Sequence, residues 1–167
     1  MKSTVWLTSI MLVCVAMVAG SGCRTSGEDM GEALIIEELD GDHALTDRFE
    51  DGTRVTDVSF DAVRFRYDSY QVDSAEESKL ERVADYLQRA GDVNLVVEGH
   101  CDERGSREYN MSLGEHRALA VRAYLIGLGV DSGRIQTRSY GEEKPLVMGH
   151  DDNARTQNRR GEFALYR

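Results

Sequence analysis

His100, Cys101, Asp102 and Glu103 stand side by side in "EGHCDERGSREYN", residues 98–110. Side chains of these types hold metals, act as nucleophiles or exchange protons. A thiol nucleophile needs a base oriented to lower its pKa. His100 and Cys101 are adjacent near the end of an extended run, so their side chains point to opposite faces and cannot readily pair. A metal site needs more ligands at set spacing, and neither HxxxH nor CxxC occurs in the chain. His116 and His150 are conceivable partners, while His43 falls in an acidic tether. The residues therefore favour Cys101 as a small apolar plug beneath a loop. His100 is expected to satisfy a hydrogen bond at the strand end. No metal, no cofactor and no catalysis are expected.

Asp102 follows the extended run in a glycine-containing loop, and Arg117 comes fifteen residues later, early in a helical segment. Strand-end loops and helix starts meet at one rim of an α/β layer. There an aspartate can accept from an ammonium while an arginine grips a carboxylate with two parallel bonds. Free N–H groups at the helix start favour the same anion. Such a site suits a ligand with both charges at one carbon, like the free end of an amino acid. The other reading is that Asp102 and Arg117 simply pair with each other, as charges at loop rims often do weakly. The residues by themselves leave both open.

The elements that would position this site are legible from 58 onward. In "VRFRY" (63–67), Val63, Phe65 and Tyr67 alternate with Arg64 and Arg66, the pattern of a half-buried strand. Ser74 and Glu77 have capping-box spacing, and Leu80, Val83, Ala84 and Leu87 share one helical face, with Gly91 as the stop. Residues 93–100 form the second strand. "SLGEHRALAVRAYLIGLG" is the second helix, with Ala118, Val121, Leu125 and Leu128 inward. Residues 134–140 form the third strand. A loop with the chain's one proline, Pro145, leads to the last strand at 161–166. The order is β-α-β-α-β-loop-β. Crossovers of this length favour right-handed parallel connections, and two amphipathic helices cover one face of four strands. The expected fold class is α/β, a two-layer α+β sandwich.

Charge divides the chain. It has 167 residues, 41% apolar and 30% charged, with a net charge of −10. Residues 24–57 hold three arginines and eleven acids. Acidity on this scale argues against nucleic acid as a partner, because phosphate binding needs a basic stripe. Residues 23–57 read as a flexible tether, with "ALII" (33–36) able to nucleate a helical turn at most. A coil of this length spans about 30 Å and reaches on the order of 110 Å when stretched.

Ahead of the tether lies "MKSTVWLTSIMLVCVAMVAGSGC". One basic residue (Lys2), an apolar run from Val5 to Val18 and small residues before Cys23 have the layout of an export signal, and the run is short for a bilayer span. "GSGC" resembles the lipobox of bacterial lipoproteins, with Gly20 where that family usually has Leu. The resemblance implies a signal at 1–22 and acylation of Cys23. Several acyl chains anchor firmly, at about 0.8 kcal/mol per buried methylene. Arg24 after the lipidated residue implies the outer membrane. Cys14 leaves with the signal, so the mature chain keeps one free thiol, Cys101.

Residues 58–167 resemble the OmpA-like C-terminal domain family, and within it the peptidoglycan-associated lipoproteins. The resemblance is carried by "FRYDSY", "VEGHCDERGSREYNMSLGEHRALAVRAYL", "SYGEEKP" and "GHDDNARTQNRR", four blocks in order. It implies a mixed four-stranded sheet of order β-α-β-α-β-β with two main helices on one face. The implied ligand is peptidoglycan, held without cleavage through the diaminopimelate of its stem peptide. The implied roles are Asp102 on the ammonium and Arg117 on the carboxylate. Asp68, Arg104, Ser106, Glu108, Tyr109, Asn110 and Leu113 would line or brace the pocket, with Arg159 a further brace and Gly99 and Gly105 allowing close backbone approach. The implied partners are the Tol proteins, TolB among them, at an outer membrane reached through the lipid anchor, with the domain facing the periplasm. Cys101 departs from the family's usual Ala or Thr, and His116 from its commoner Arg. An OmpA-like lipoprotein without a Tol role, a thiol- or metal-dependent wall hydrolase and a flagellar stator-type anchor are the rival readings.

Overall fold

The computed structural model describes residues 52–167. The signal segment, Cys23 and the tether up to residue 51 lie outside the described residues. The elements run β1 (Val63–Arg64), α1 (Ser74–Arg89), β2 (Asn94–His100), α2 (Arg107–Gly127), a 3-10 turn (Ser132–Arg134), β3 (Ile135–Gly141), α3 (Asp152–Asn158) and β4 (Arg160–Tyr166). No helix among the described residues is long and apolar enough to cross a membrane.

The strand order is β1-β4-β2-β3. β2 and β3 are parallel, joined by α2 as the crossover, while β4 inserts antiparallel between β1 and β2. The sheet is mixed, with α1 and α2 packed on one face as the two-layer expectation requires. Leu80, Val83, Ala84 and Leu87 of α1 meet Ala118, Val121 and Leu125 of α2 over Val63, Leu95, Val97, Ile135 and Leu165 of the sheet. Burying an aliphatic side chain of this size contributes about 1.5–3 kcal/mol, so this layer dominates the stability of the domain.

Several boundaries differ from the sequence reading, each for a physical reason. β1 stops after Arg64 because the chain turns away: Asp68 has φ of 54°, and Tyr67 is 60% exposed rather than inward. The Ser74/Glu77 capping box does not form. Asp73 occupies the N-cap and makes no side-chain cap bond. Its carboxylate is taken by Arg66 at 2.8 Å. α2 starts five residues early, because Ser106 caps it by accepting from the Tyr109 N–H at 3.2 Å. The expected loop before β4 contains α3, capped by Asp151 accepting from the Ala154 N–H at 2.7 Å. Asn158 at its end holds the preceding segment, taking the N–H groups of Leu146 and Val147 at 2.8 and 3.0 Å. Residues 53–55, expected in the tether, pair with the end of β4. Thr53 and Arg167 exchange backbone bonds at 2.8 and 2.9 Å, and Val55 is buried.

Candidate functional site

The end of β2, the loop after it, the first three turns of α2 and the turn at 67–69 enclose a cleft of about 50 Å³. Asp102, Arg117, Asp68, Arg104, Tyr109, Asn110 and Leu113 line it together with Tyr67, Cys101, Gly105 and Arg159. Seven of the nine residues that the sequence nominates thus meet at one place. The other two do not line it. Ser106 is the cap of α2 and acts by starting the helix that carries Tyr109, Asn110 and Arg117. Glu108 is exposed in the first turn.

Asp102 is 4% exposed and heavily engaged. Arg104 donates to it from Nη2 at 2.7 Å, from Nε at 3.2 Å and from its backbone N–H at 3.1 Å. Arg159 donates from Nη1 at 3.0 Å. Burial pushes the carboxyl toward protonation, but the bonds from Arg104 and Arg159 outweigh it and hold the group below the usual carboxylate range. Arg104 also lies over the Tyr67 ring, 3.9 Å from its centre.

Arg117 is in the third turn of α2 and fully buried, rather than at the helix start. Its Nε donates to the Ser69 carbonyl at 2.9 Å, Nη1 to the His100 carbonyl at 2.7 Å and Nη2 to the Arg66 carbonyl at 3.2 Å. Nη1 is also 3.3 Å from Cys101 Sγ. Burial lowers its pKa, while three carbonyl dipoles stabilise the charge. Asp102 and Arg117 therefore share a cleft, each satisfied by other groups. One guanidinium stitches the 66–69 turn to the end of β2.

Asp68 takes the Tyr109 hydroxyl in a short hydrogen bond. Asn110 is buried and donates to the carbonyls of Asp102 and Arg104 at 3.3 and 3.1 Å and to Glu142 at 2.5 Å. It fixes the loop between β2 and α2. Gly105, with φ of 112°, supplies the left-handed turn in that loop. Gly99 allows the close backbone approach expected of it, and what approaches is α2: a Cβ there would lie 1.9 Å from the Gly114 carbonyl oxygen.

Cys101 is buried and donates from Sγ to the Asn110 carbonyl at 3.3 Å. Burial pushes its thiol up to about 11, so it stays protonated at neutral pH. That suits the plug reading. His100 contradicts expectation: neither ring nitrogen makes a well-formed hydrogen bond, with only a loose approach to the Lys144 backbone. The ring stacks on Tyr140 at 5.4 Å instead. Tyr67 was missed because strand alternation pointed it inward.

Two carboxylates and three guanidiniums converge on one small cleft at the edge of a mixed sheet. The chain belongs to the OmpA family, which matches residues 64–159. Within that family it is similar to proteins described as peptidoglycan-associated lipoproteins. That of Haemophilus influenzae is 44% identical over 92% of this chain and 95% of the relative. That of Pasteurella multocida is 36% identical over 95% and 97%. Among solved structures, the peptidoglycan-associated lipoprotein from Burkholderia pseudomallei superposes with a TM-score of 0.61 at 39% identity, over 62% of this chain and 88% of that one.

Proposed function

We propose that this chain is an outer-membrane lipoprotein whose domain binds peptidoglycan without cleaving it. The ligand group is the diaminopimelate side-chain terminus, one ammonium and one carboxylate on a single carbon. The observation that carries the reading is the meeting of Asp68 and Asp102 with Arg104, Arg117 and Arg159 around one cleft. Opposite charges are presented together, with a surplus of guanidinium for a carboxylate. That its relatives are peptidoglycan-associated lipoproteins supports the wall as ligand.

In this reading Arg104 is the displaceable member. It is 35% exposed on its side chain, whereas Arg159 is 12% and Asp102 4%. An incoming ammonium replaces Arg104 on the Asp102 carboxylate, and the released guanidinium turns to the ligand carboxylate beside Arg117. Binding then exchanges ion pairs without leaving a buried charge uncompensated. At Cys101, a thiol that burial keeps protonated is a poor nucleophile, which suits a domain that holds the wall rather than cleaving it. Through acylated Cys23 it couples the outer membrane to the wall from the periplasmic side, as part of the Tol–Pal system with TolB as partner.

The test is a calorimetric titration with stem peptides whose third residue is diaminopimelate or lysine. Lysine lacks the carboxylate, and a lost charged hydrogen bond is worth about 1.5–3 kcal/mol. Lysine peptide should therefore bind roughly ten- to a hundred-fold more weakly. Equal affinities would end the diaminopimelate reading. Co-purification with TolB separates a Tol role from an OmpA-like lipoprotein without one. Release of soluble muropeptides would revive the hydrolase.

A further inference from the structure

The face of the sheet turned away from α1 and α2 carries a second cluster that the cleft does not use. Glu98 and His100 of β2 and Glu162 of β4 each offer a ligand atom, and these atoms lie within 4.8 Å of one another. Linear spacing could not show this, because the set is assembled across two strands.

Three observations make it more than a group of acids. His100 is 2% exposed, yet neither Nδ1 nor Nε2 makes a well-formed hydrogen bond, the Lys144 backbone being its one loose neighbour. A buried imidazole without partners is costly. Glu98 and Glu162 are directly paired in the β2–β4 register. Like charges opposite each other destabilise a sheet; Arg160 offsets the charge of Glu162 through one carboxylate oxygen, at 2.5 Å. Finally, the ring is held in a fixed plane: it stacks on Tyr140, whose hydroxyl is 3.4 Å from Glu98 Oε1. An outer ring of this kind orients metal ligands.

Basic groups surround the cluster. Arg138 lies across from Glu98 on β3, and Arg160 and Arg64 occupy neighbouring register positions. Lys144 Nζ lies 3.5 Å over the Tyr140 ring. Arg160 binds only Oε1 of Glu162, at 2.5 Å, and its other nitrogens go to the carbonyls of Asn158 and Lys144. Oε2 of Glu162 therefore carries no bond from Arg160. Positive neighbours disfavour a hard cation held by charge alone, such as Ca²⁺ or Mg²⁺. A cation that forms a strong bond to imidazole nitrogen is less dependent on that field.

We propose that Glu98, His100 and Glu162 form a site for a divalent first-row transition metal, with zinc the best match. Three protein ligands leave a fourth position for water or a partner's group. The site does not depend on the wall-binding cleft.

The test uses the full chain, purified in detergent, dialysed to equilibrium against Zn²⁺ and separately against Co²⁺, whose visible absorption reports nitrogen and oxygen ligation. One zinc per chain is expected, with a zinc-dependent rise in Tm. His100→Gln and Glu162→Gln should each weaken binding by about tenfold or more. A variant lacking the other three histidines, H43Q/H116Q/H150Q, should bind as the parent does. Glu162 is part-exposed, so its variant decides the matter if His100→Gln does not fold. Absence of zinc binding, or binding unchanged in folded Glu162→Gln, or loss of zinc in the triple variant alone, would overturn the site.

Discussion

Arg159 Nη1 lies 3.0 Å from Asp102 Oδ2, closing a contact between residues 57 apart in sequence. The same carboxylate oxygen takes Arg104 Nη2 at 2.7 Å. The backbone follows the same path, since Arg159 also donates from Nε to the Phe65 carbonyl at 3.1 Å. One buried acid thus ties the β2 loop to the start of β4 and, through Arg159, to the end of β1. Asp102→Ala leaves Arg159 mostly buried without its anion. Breaking a buried pair from one side costs about 3–5 kcal/mol. Because Arg104 can rotate to water, the lower end is expected, about 3 kcal/mol by urea unfolding. Arg159→Gln should cost less, since Arg104 keeps Asp102 satisfied. Equal losses would show that Arg104 contributes nothing.

Arg117→Lys tests geometry rather than charge. The guanidinium spans the carbonyls of Ser69, His100 and Arg66 in three directions. An ammonium is a compact charge on a flexible stem and cannot reproduce that fork. At least one buried carbonyl loses its donor, at about 1–3 kcal/mol. Wall binding should fall as well, because the 66–69 turn that carries Asp68 comes loose. Sacculus sedimentation and denaturant unfolding on the same sample separate the two effects. Full stability and full binding in the lysine variant would show that charge alone suffices.

How much of this was legible depends on whether the signal was local. The faces of α1 and α2 follow from the spacing of Leu80, Val83, Leu87, Ala118 and Val121, and those residues are in the core. The meeting of Asp102 and Arg117 at one rim follows from a helix placed just after a strand, whereas Tyr109 and Asn110 come only with the family resemblance. What was not legible depends on contacts far apart in sequence. Tyr67 turns out because Asp68 adopts a left-handed conformation, which no alternation pattern shows. Asp73 could have capped α1, but Arg66 takes its carboxylate. α3 was hidden because only Ala154 and Asn158 of its seven residues are buried, too few for a periodic pattern.

Asp68 at φ of 54° separates backbone from side-chain roles. Asparagine tolerates the left-handed region and keeps an acceptor for Tyr109, but carries no charge. Asp68→Asn should keep its stability within about 0.5 kcal/mol and bind diaminopimelate peptide more weakly. Asp68→Val should lose stability, since a branched side chain resists this conformation. Thermal unfolding with peptide titration reads both. Unchanged binding in Asp68→Asn would remove Asp68 from the ligand contacts.

Cys101 should be inert in the native protein. Its thiol is 2% exposed and raised to about 11 by burial. At pH 8 only about one molecule in a thousand carries the thiolate that alkylating reagents attack. Iodoacetamide should leave the Cys101 peptide unmodified in the folded chain and label it fully in urea, as read by mass spectrometry. Rapid native labelling would mean that the β2 loop opens often, and that the cleft above it is not preformed.

The position of the whole site rests on a contact with no side chains in it. A Cβ on Gly99 would lie 1.9 Å from the Gly114 carbonyl oxygen, and a Cβ on Gly114 would lie 2.2 Å from Ser139 Oγ. α2 is therefore seated directly on the β2 and β3 backbones at the level of the cleft. Ser139 in turn donates from its hydroxyl to the Met111 carbonyl at 2.6 Å, which locks the helix in register. At Gly99 the obstacle is backbone and cannot rotate away. Gly99→Ala should force α2 off the sheet, displace Arg117 from the His100 carbonyl and cost about 3 kcal/mol or more. At Gly114 the nearest obstacle is a hydroxyl, which can move if its bond to Met111 is given up, with the Gly99 carbonyl oxygen a milder one at 3.0 Å. Gly114→Ala should therefore cost less, and Ser139→Ala should partly rescue it while leaving Gly99→Ala unrescued. Unfolding free energies for the two single variants and the two doubles test this ordering. Rescue of both by Ser139→Ala, or of neither, would contradict the close seating of α2 on β2.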